Sequence, residues 1–312
     1  MMISPRCAFI DIGTNTILCL IAELRDGGRF RVLDDLAEIT RLGEGLDRTG
    51  LISDEGEQRS SGVLRGYLDA CKTLGVGEVI AVGTSALRDA RNSFAVRQRW
   101  QLELGLDVRV IGGDDEARYS FLAAQRGLPL IGEELLVIDI GGGSTEFIRG
   151  NDSGVTHALS LNLGSVRLTE RFLRSDPVGA REFVDLTSAI DSELAALEKH
   201  WRDLAVATSW VGAAGTFTTM AAVEKQLTRY SHSMVHGSNL TQVEVQRQVQ
   251  LYRSATLAER KTIPGLEPKR ADVILAGACL IDRMMTLFGA RQLMVSDQGV
   301  RYGLLYERLD RR

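Results

Sequence analysis

Cysteine is scarce: Cys7, Cys19, Cys71 and Cys279 are the four in 312 residues, and none stands at the spacing of a paired metal site. A metal centre built on cysteine is thereby excluded, and the thiols, two of them in apolar runs, read as buried groups of a reducing compartment. No apolar run approaches the length of a membrane span, and the stretch after Arg6 is cut at once by Asp11, so neither a membrane segment nor a secretory leader is expected and the cytoplasm is the default location. The sequence Gly-x-x-x-x-Gly-Lys-Ser/Thr does not occur, which removes the P-loop nucleotide site. Basic excess is missing too: a net charge of −4 argues against a surface that coats nucleic acid. Lysine stands only at 72, 199, 225, 261 and 269, leaving the rest of the 37 basic residues to arginine, whose fork suits phosphate geometry, although codon bias accounts for most of it. No low-complexity segment interrupts the chain.

What is present is ordinary globular material, 44% hydrophobic and 25% charged, long enough for two domains of about 150 residues each. Its most informative stretch is Leu136-Val-Ile-Asp139-Ile-Gly141-Gly142-Gly143-Ser144-Thr145-Glu146, because it echoes Ala8-Phe-Ile-Asp11-Ile-Gly13-Thr14-Asn15-Thr16. Each reads as a strand, a tight glycine turn and a returning strand. Glycine turns bring unpaired N–H groups close to an anion, and an Asp beside them can hold a divalent cation. A single Asp-Ile-Gly is more often a plain hairpin. Two copies about one domain length apart suggest matched half-sites facing each other across a cleft.

Periodicity predicts helices over Ser53–Leu74, Ser93–Leu104, Asp114–Arg126 with Asp114 as N-cap, Pro177–Trp201, Thr216–Val223, Arg270–Phe288 and Gly299–Leu309. Thr241 and Glu244 form the pattern of a capping box. Strands are expected at Glu78–Val82, Val108–Ile111, Ser209–Val211 and Gln292–Val295, and alternation of strands with helices points to α/β domains. Gly127-Leu128-Pro129 marks a crossing, dividing the chain into domains 1–126 and 127–312, with the closing helix 299–312 able to pack on the first.

Glu116 is the candidate base. It follows a glycine pair in the first turn of a helix, at the C-terminal end of a strand where α/β folds place ligands, and nearby carboxylates would raise its pKa. Acids in a first turn serve equally as dipole and capping partners. Arg88 belongs with it, with Thr84 and Ser85 as hydroxyl donors, unless Arg88 simply pairs with Asp89. Asn15, Ser144 and Thr145 offer donors to phosphate oxygens or stabilise their turns. Gly212-Ala-Ala-Gly215-Thr216 has the form of a strand-to-helix anion loop, a pattern that close packing also selects. His236 reads as a structural histidine, and the remaining histidines form no cluster.

Taken in order, Asp11-Ile-Gly-Thr-Asn-Thr16, Gly83-Thr-Ser-Ala-Leu-Arg-Asp89, Asp115-Glu116-Ala-Arg118, Asp139-Ile-Gly-Gly-Gly-Ser-Thr-Glu146, Leu163-Gly-Ser-Val-Arg167 and Gly212-Ala-Ala-Gly-Thr216 resemble the exopolyphosphatase and guanosine pentaphosphate phosphatase family over nearly the whole chain. The resemblance implies the actin-like α/β fold shared with sugar kinases and Hsp70, two ribonuclease-H-like domains around a central cleft. It also implies Glu116 as catalytic base, Asp139 and Glu146 as catalytic or metal-binding acids with Asp11 in the equivalent place of the first loop, and Arg270 and Arg301 as basic positions of the second domain. Asp115 stands where many relatives carry Glu. Long members carry further helical domains that grip the polymer, so this short form is expected to favour short chains.

The resulting expectation is Mg²⁺-dependent, or other divalent-cation-dependent, hydrolysis of the terminal phosphoanhydride of inorganic polyphosphate. Gly13, Thr14, Asn15, Thr84, Ser85, Arg88, Gly141, Gly142, Gly143, Ser144, Thr145, Gly215, Arg270 and Arg301 would bind phosphate and Asp11, Asp139 and Glu146 the metal. Neither nucleic acid nor membrane is a partner, and a homodimer is admitted. The rivals are the same chemistry on guanosine pentaphosphate, and a non-catalytic alarmone- or nucleotide-binding actin-like protein. A sugar or acetate kinase of the same fold would need an acceptor signature that is not found.

Overall fold

The computed structural model describes residues 5–130, 132–197 and 208–311. They separate into two compact units, one within Met1–Ala123 and Val300–Arg312, the other within Ala124–Gly299, and the first boundary falls inside the helix Gly113–Gly127.

The first unit is built on a sheet of β1 (Arg6–Ile12), β2 (Thr16–Leu24), β3 (Phe30–Ile39), β4 (Glu78–Gly83) and β5 (Val108–Val110), in the order β3-β2-β1-β4-β5. Antiparallel pairing joins β1 to β2 and β2 to β3, and parallel pairing joins β1 to β4 and β4 to β5. Central β1 is covered on both faces, which is why it reads as a continuous apolar run and not as an alternation. On one face Ile10, Ile17 and Cys19 pack with Leu64, Tyr67 and Cys71 of the helix Asp54–Thr73 and with Trp100. On the other, Phe9, Leu20 and Leu24 pack with Tyr119, Ala123 and the closing helix Val300–Asp310 through Val300, Leu305 and Leu309. Gly303 lets that helix lie against the backbone of Tyr119, because a Cβ there would run into the Tyr119 carbonyl.

In the second unit, β6 (Leu135–Ile140), β7 (Thr145–Asn151), β8 (Gly154–Leu161), β9 (Ser209–Ala213), β10 (Asn239–Thr241) and β11 (Gln292–Ser296) follow the order β10-β11-β9-β6-β7-β8. From β8 inward this repeats the first sheet, β9 standing for β4 and β11 for β5, with antiparallel β10 added at the edge. The duplication seen in two short motifs thus extends to whole sheets. Its core gathers Ile138, Phe147, Leu186, Phe217, Met220 and Tyr252 around the almost wholly buried helix Ile274–Phe288.

Several boundaries differ from the sequence expectation. Strands β3, β8 and β10 are additional. The helix at Asp114 starts at Gly113, Glu116 N–H donates to the Gly112 carbonyl, and Asp114 lies in the first turn instead of capping it. Thr241 accepts from Glu244 N–H, but the Glu244 carboxylate turns to Arg247 and Gln248, so the capping box is half made; a complete one is formed by Thr256 and Glu259. The helix expected from Arg270 begins at Ile274, after a short 3-10 turn at Pro268–Arg270. Of the stretch 177–201, Ala180–Ala195 is helical and 198–201 lies outside the described residues. Among the described residues no helix is long and apolar enough to cross a membrane.

Candidate active site

In the first unit the ends of three adjacent strands carry the candidate residues. Thr84 N–H donates to the Ile12 carbonyl and Ile111 N–H to the Gly83 carbonyl, which aligns the chain after β1, β4 and β5. Ser85–Asp89 is a short helix, and from it Arg88 reaches back, its Nη1 donating to the Ile111 carbonyl at 3.2 Å and to Glu116 Oε2 at 2.9 Å. Glu116 is buried and Arg88 half-buried. A cation is thus in contact with Glu116, a partner the sequence reading of neighbouring carboxylates did not include, and Asp115 lies 3.6 Å from Arg118. Thr84 and Ser85 are buried beside this pair, with Thr84 Oγ1 at 3.5 Å from the Ile12 carbonyl.

The two glycine turns close alike. Gly13 N–H donates to the Thr16 carbonyl and Gly141 N–H to the Ser144 carbonyl, both at 3.0 Å. Their supports differ. The Thr14 carbonyl accepts from Gly43 N–H, and the Asn15 carbonyl from Thr40 and Arg41 N–H. In the second turn the carbonyls of Gly141 and Gly142 accept from the start of the helix Ser165–Phe172, namely from Ser165 N–H and from Val166 and Arg167 N–H. Gly164 allows this approach, since a Cβ there would strike Gly142 and Gly143. The Thr145 hydroxyl donates to the Leu163 carbonyl and Ser144 is buried.

Asp139 and Glu146 stand directly opposite on β6 and β7, which puts both side chains on one face of the sheet. Both are buried, and Ser160 Oγ donates to Glu146 Oε1 at 2.8 Å. The corresponding partner of Asp11 is Leu18. Among the described residues no group of three or more His, Cys, Asp and Glu side chains is placed to hold a metal. The opposed pair nevertheless fits Mg²⁺, which typically takes one or two carboxylates and fills its octahedron with water and substrate phosphate.

At the end of β9, Ala214 has φ 71° and ψ −179°, a strained backbone for a residue with a side chain, and the helix Gly215–Glu224 follows. Arg270 lies over Gly215 so closely that a Cβ would meet its guanidinium. Arg301 is placed otherwise than the resemblance suggested. It belongs to the first unit, where Nε and Nη2 bind Asp35 at 2.8 and 3.1 Å and Tyr302 Oη donates to the same carboxylate at 3.0 Å.

His236 is a structural histidine. Nδ1 accepts from Asp297 N–H at 3.1 Å while Nε2 faces the Gly127 carbonyl at 2.9 Å, and burial holds its pKa below the usual value. His232, four residues earlier in the chain, stacks on it at 5.0 Å and meets Asp297 at 2.8 Å, so these two histidines pair although the histidines read as forming no cluster. Sequence reasoning quoted Arg167 without giving it a role; its Nε donates to the Gly143 carbonyl at 3.0 Å. The signal was its place three residues after Gly164, in a Gly-Ser-x-Arg run that opens a helix.

The family model described as the Ppx/GppA phosphatase family matches residues 20–312. The chain belongs to that family. Among Ppx/GppA relatives, Exopolyphosphatase 1 of Mycobacterium tuberculosis is 32% identical over 313 residues, covering 98% of this chain and 88% of the relative. Exopolyphosphatase 2 of the same organism is 33% identical over 317 residues, covering 97% and 98%. The crystal structure of an exopolyphosphatase from Cytophaga hutchinsonii superposes with a TM-score of 0.90 at 31% identity, covering 98% of each chain. The fold is the actin-like one of this family, mixed α/β on two sheets.

Proposed function

We propose that this protein is an exopolyphosphatase that hydrolyses the terminal phosphoanhydride of inorganic polyphosphate and releases phosphate. The observation that carries the reading is the buried Glu116 in contact with Arg88 at the strand ends of the first unit, in a chain whose near-full-length relatives are named exopolyphosphatases. Glu116 accepts a proton of the attacking water as the water oxygen bonds to the last phosphorus, while the bridging P–O bond breaks and its electron pair leaves on the terminal oxygen of the shortened chain. Arg88 fixes the direction of that carboxylate and supplies positive charge, and the glycine turns offer N–H groups to phosphate oxygens. Phosphoryl transfer depends mainly on such positioning and charge stabilisation, so one base and dense donors suffice. Asp139 and Glu146 would hold a divalent cation, Mg²⁺ or a similar ion, which neutralises phosphate charge when bound. Arg270 and Gly215 provide further phosphate contacts in the second unit. The setting is the cytoplasm, and a homodimer is the assembly to look for by light scattering.

Phosphate release measured side by side on tripolyphosphate, long polyphosphate, guanosine pentaphosphate and ATP tests this. Release should be fastest from the two polyphosphates, and their ratio gives the chain-length preference. Faster release from guanosine pentaphosphate would move the protein to the alarmone branch, and binding without release from any of the four would make it a sensor.

A further inference from the structure

A trans peptide points its C=O and the following N–H in opposite directions. In the second turn the carbonyls of Gly141, Gly142 and Gly143 are all drawn to one side, the first two by backbone N–H groups of the helix Ser165–Phe172 and the third by the Arg167 side chain. The N–H groups of Gly142, Gly143 and Ser144 therefore face the opposite side together, and among the described residues no acceptor bonds them. Successive N–H groups so aligned make an anion-binding concavity.

Two side chains take part: the Ser165 hydroxyl donates to the Gly141 carbonyl at 3.3 Å, which backbone N–H already holds, and Arg167 reaches the Gly143 carbonyl. Arg167 is anchored twice, by its own N–H to the Gly142 carbonyl at 3.1 Å and by Nε to the Gly143 carbonyl at 3.0 Å. The last peptide of the turn, Gly143–Ser144, is held by that second bond alone, since the backbone donors of the helix reach no further than Gly142. Both glycines before it lack the side chains that would restrict rotation.

We infer that Arg167 is a positioning residue for the reaction: it acts from behind the turn, locking the Gly143–Ser144 peptide so that the Ser144 N–H joins those of Gly142 and Gly143 on a substrate phosphate. The inference rests on the phosphate-binding reading of this turn and extends it to a residue that holds the turn in place.

The test measures tripolyphosphate binding by calorimetry in the full chain carrying Glu116→Gln, so that turnover does not intrude. Adding Arg167→Met should weaken binding about tenfold, the effect of losing one hydrogen bond from a charged donor, while Arg167→Lys should recover part of the loss. In ¹⁵N-labelled protein with Arg167 intact, tripolyphosphate should shift the amide signals of Gly142, Gly143 and Ser144, and the Ser144 shift should shrink most in Arg167→Met. Unchanged affinity in Arg167→Met, or amides of the intact turn that do not respond, overturns the inference. A purely structural role would lower the melting temperature and leave affinity in place. Should Arg167→Met not fold, Arg167→Lys and the intact-protein amides still decide. Failure of the unmutated enzyme to release phosphate would end the hydrolase reading alone, because binding is read separately.

Discussion

The hairpins Gly13–Thr16 and Gly141–Ser144 share their closing bond, their preceding Asp and their place in the sheet, yet they are equipped differently. Opposite Asp11 stands Leu18, and opposite Asp139 stands Glu146. The first turn leans on the loop from Thr40 to Gly43 and lies in the unit that carries Glu116 and Arg88; the second leans on a helix start and carries the paired carboxylates. Duplication has copied what the main chain does, and the side chains have diverged: a buried Glu116–Arg88 pair stands in one unit and the opposed carboxylates Asp139 and Glu146 in the other.

That division of labour gives the first and largest test. Glu116→Gln should lower kcat for tripolyphosphate by about 10²–10⁴-fold, the usual contribution of a general base, with KM little changed. Near-normal phosphate release would remove the base from the first unit. Next, Glu146→Gln should raise the Mg²⁺ concentration for half-maximal activity at least ~10-fold, the cost of losing even an outer partner of a metal, whereas Leu18→Gln should leave the Mg²⁺ titration where it was. Equal responses of the two would dissolve the contrast between the hairpins.

A smaller effect separates their supports. The Cβ of Gly164→Ala would strike the backbone of Gly142 and Gly143, while that of Gly43→Ala would meet mainly the Thr14 methyl group, which can rotate aside. Gly164→Ala should therefore cost about 1–3 kcal/mol of stability and Gly43→Ala less than about 1 kcal/mol, read from urea midpoints. The smallest effect lies outside both turns. Burial lowers the pKa of His236 from 6.5, so the unfolded chain takes up a proton there before the folded one does. Its contribution to stability is complete above pH 6.5 and is lost as pH falls through the folded value. His236→Gln should flatten the decline in melting temperature between about pH 7.5 and about pH 5.

Strands and glycines made much of this legible in advance. Asp11-Ile-Gly13 and Asp139-Ile-Gly141 exposed the repeat because central strands are apolar throughout and end on turns that need glycine. The strands β3 and β8 escaped because edge strands carry residues such as Asp34, Asp35 and Thr156, whose polar side chains break the hydrophobic signal. Arg88 could be marked as a candidate, but its contact with Glu116 depends on two neighbouring strand ends and not on any spacing along the chain. Arg301 shows the converse. A familiar position suggested phosphate, and the structure adds a bidentate partner far away in sequence, Asp35, that no spacing along the chain announces.

The closing helix Val300–Asp310 carries a consequence for biosynthesis. Phe9, Leu20 and Leu24 emerge from the ribosome nearly 300 residues before Val300, Leu305 and Leu309 of the helix that packs on them. That flank of the first sheet must wait, only partly covered by Tyr119 and Ala123, for the whole intervening unit to be translated. A chain halted before residue 300 should be sticky where the finished protein is not, and a natural client for chaperones.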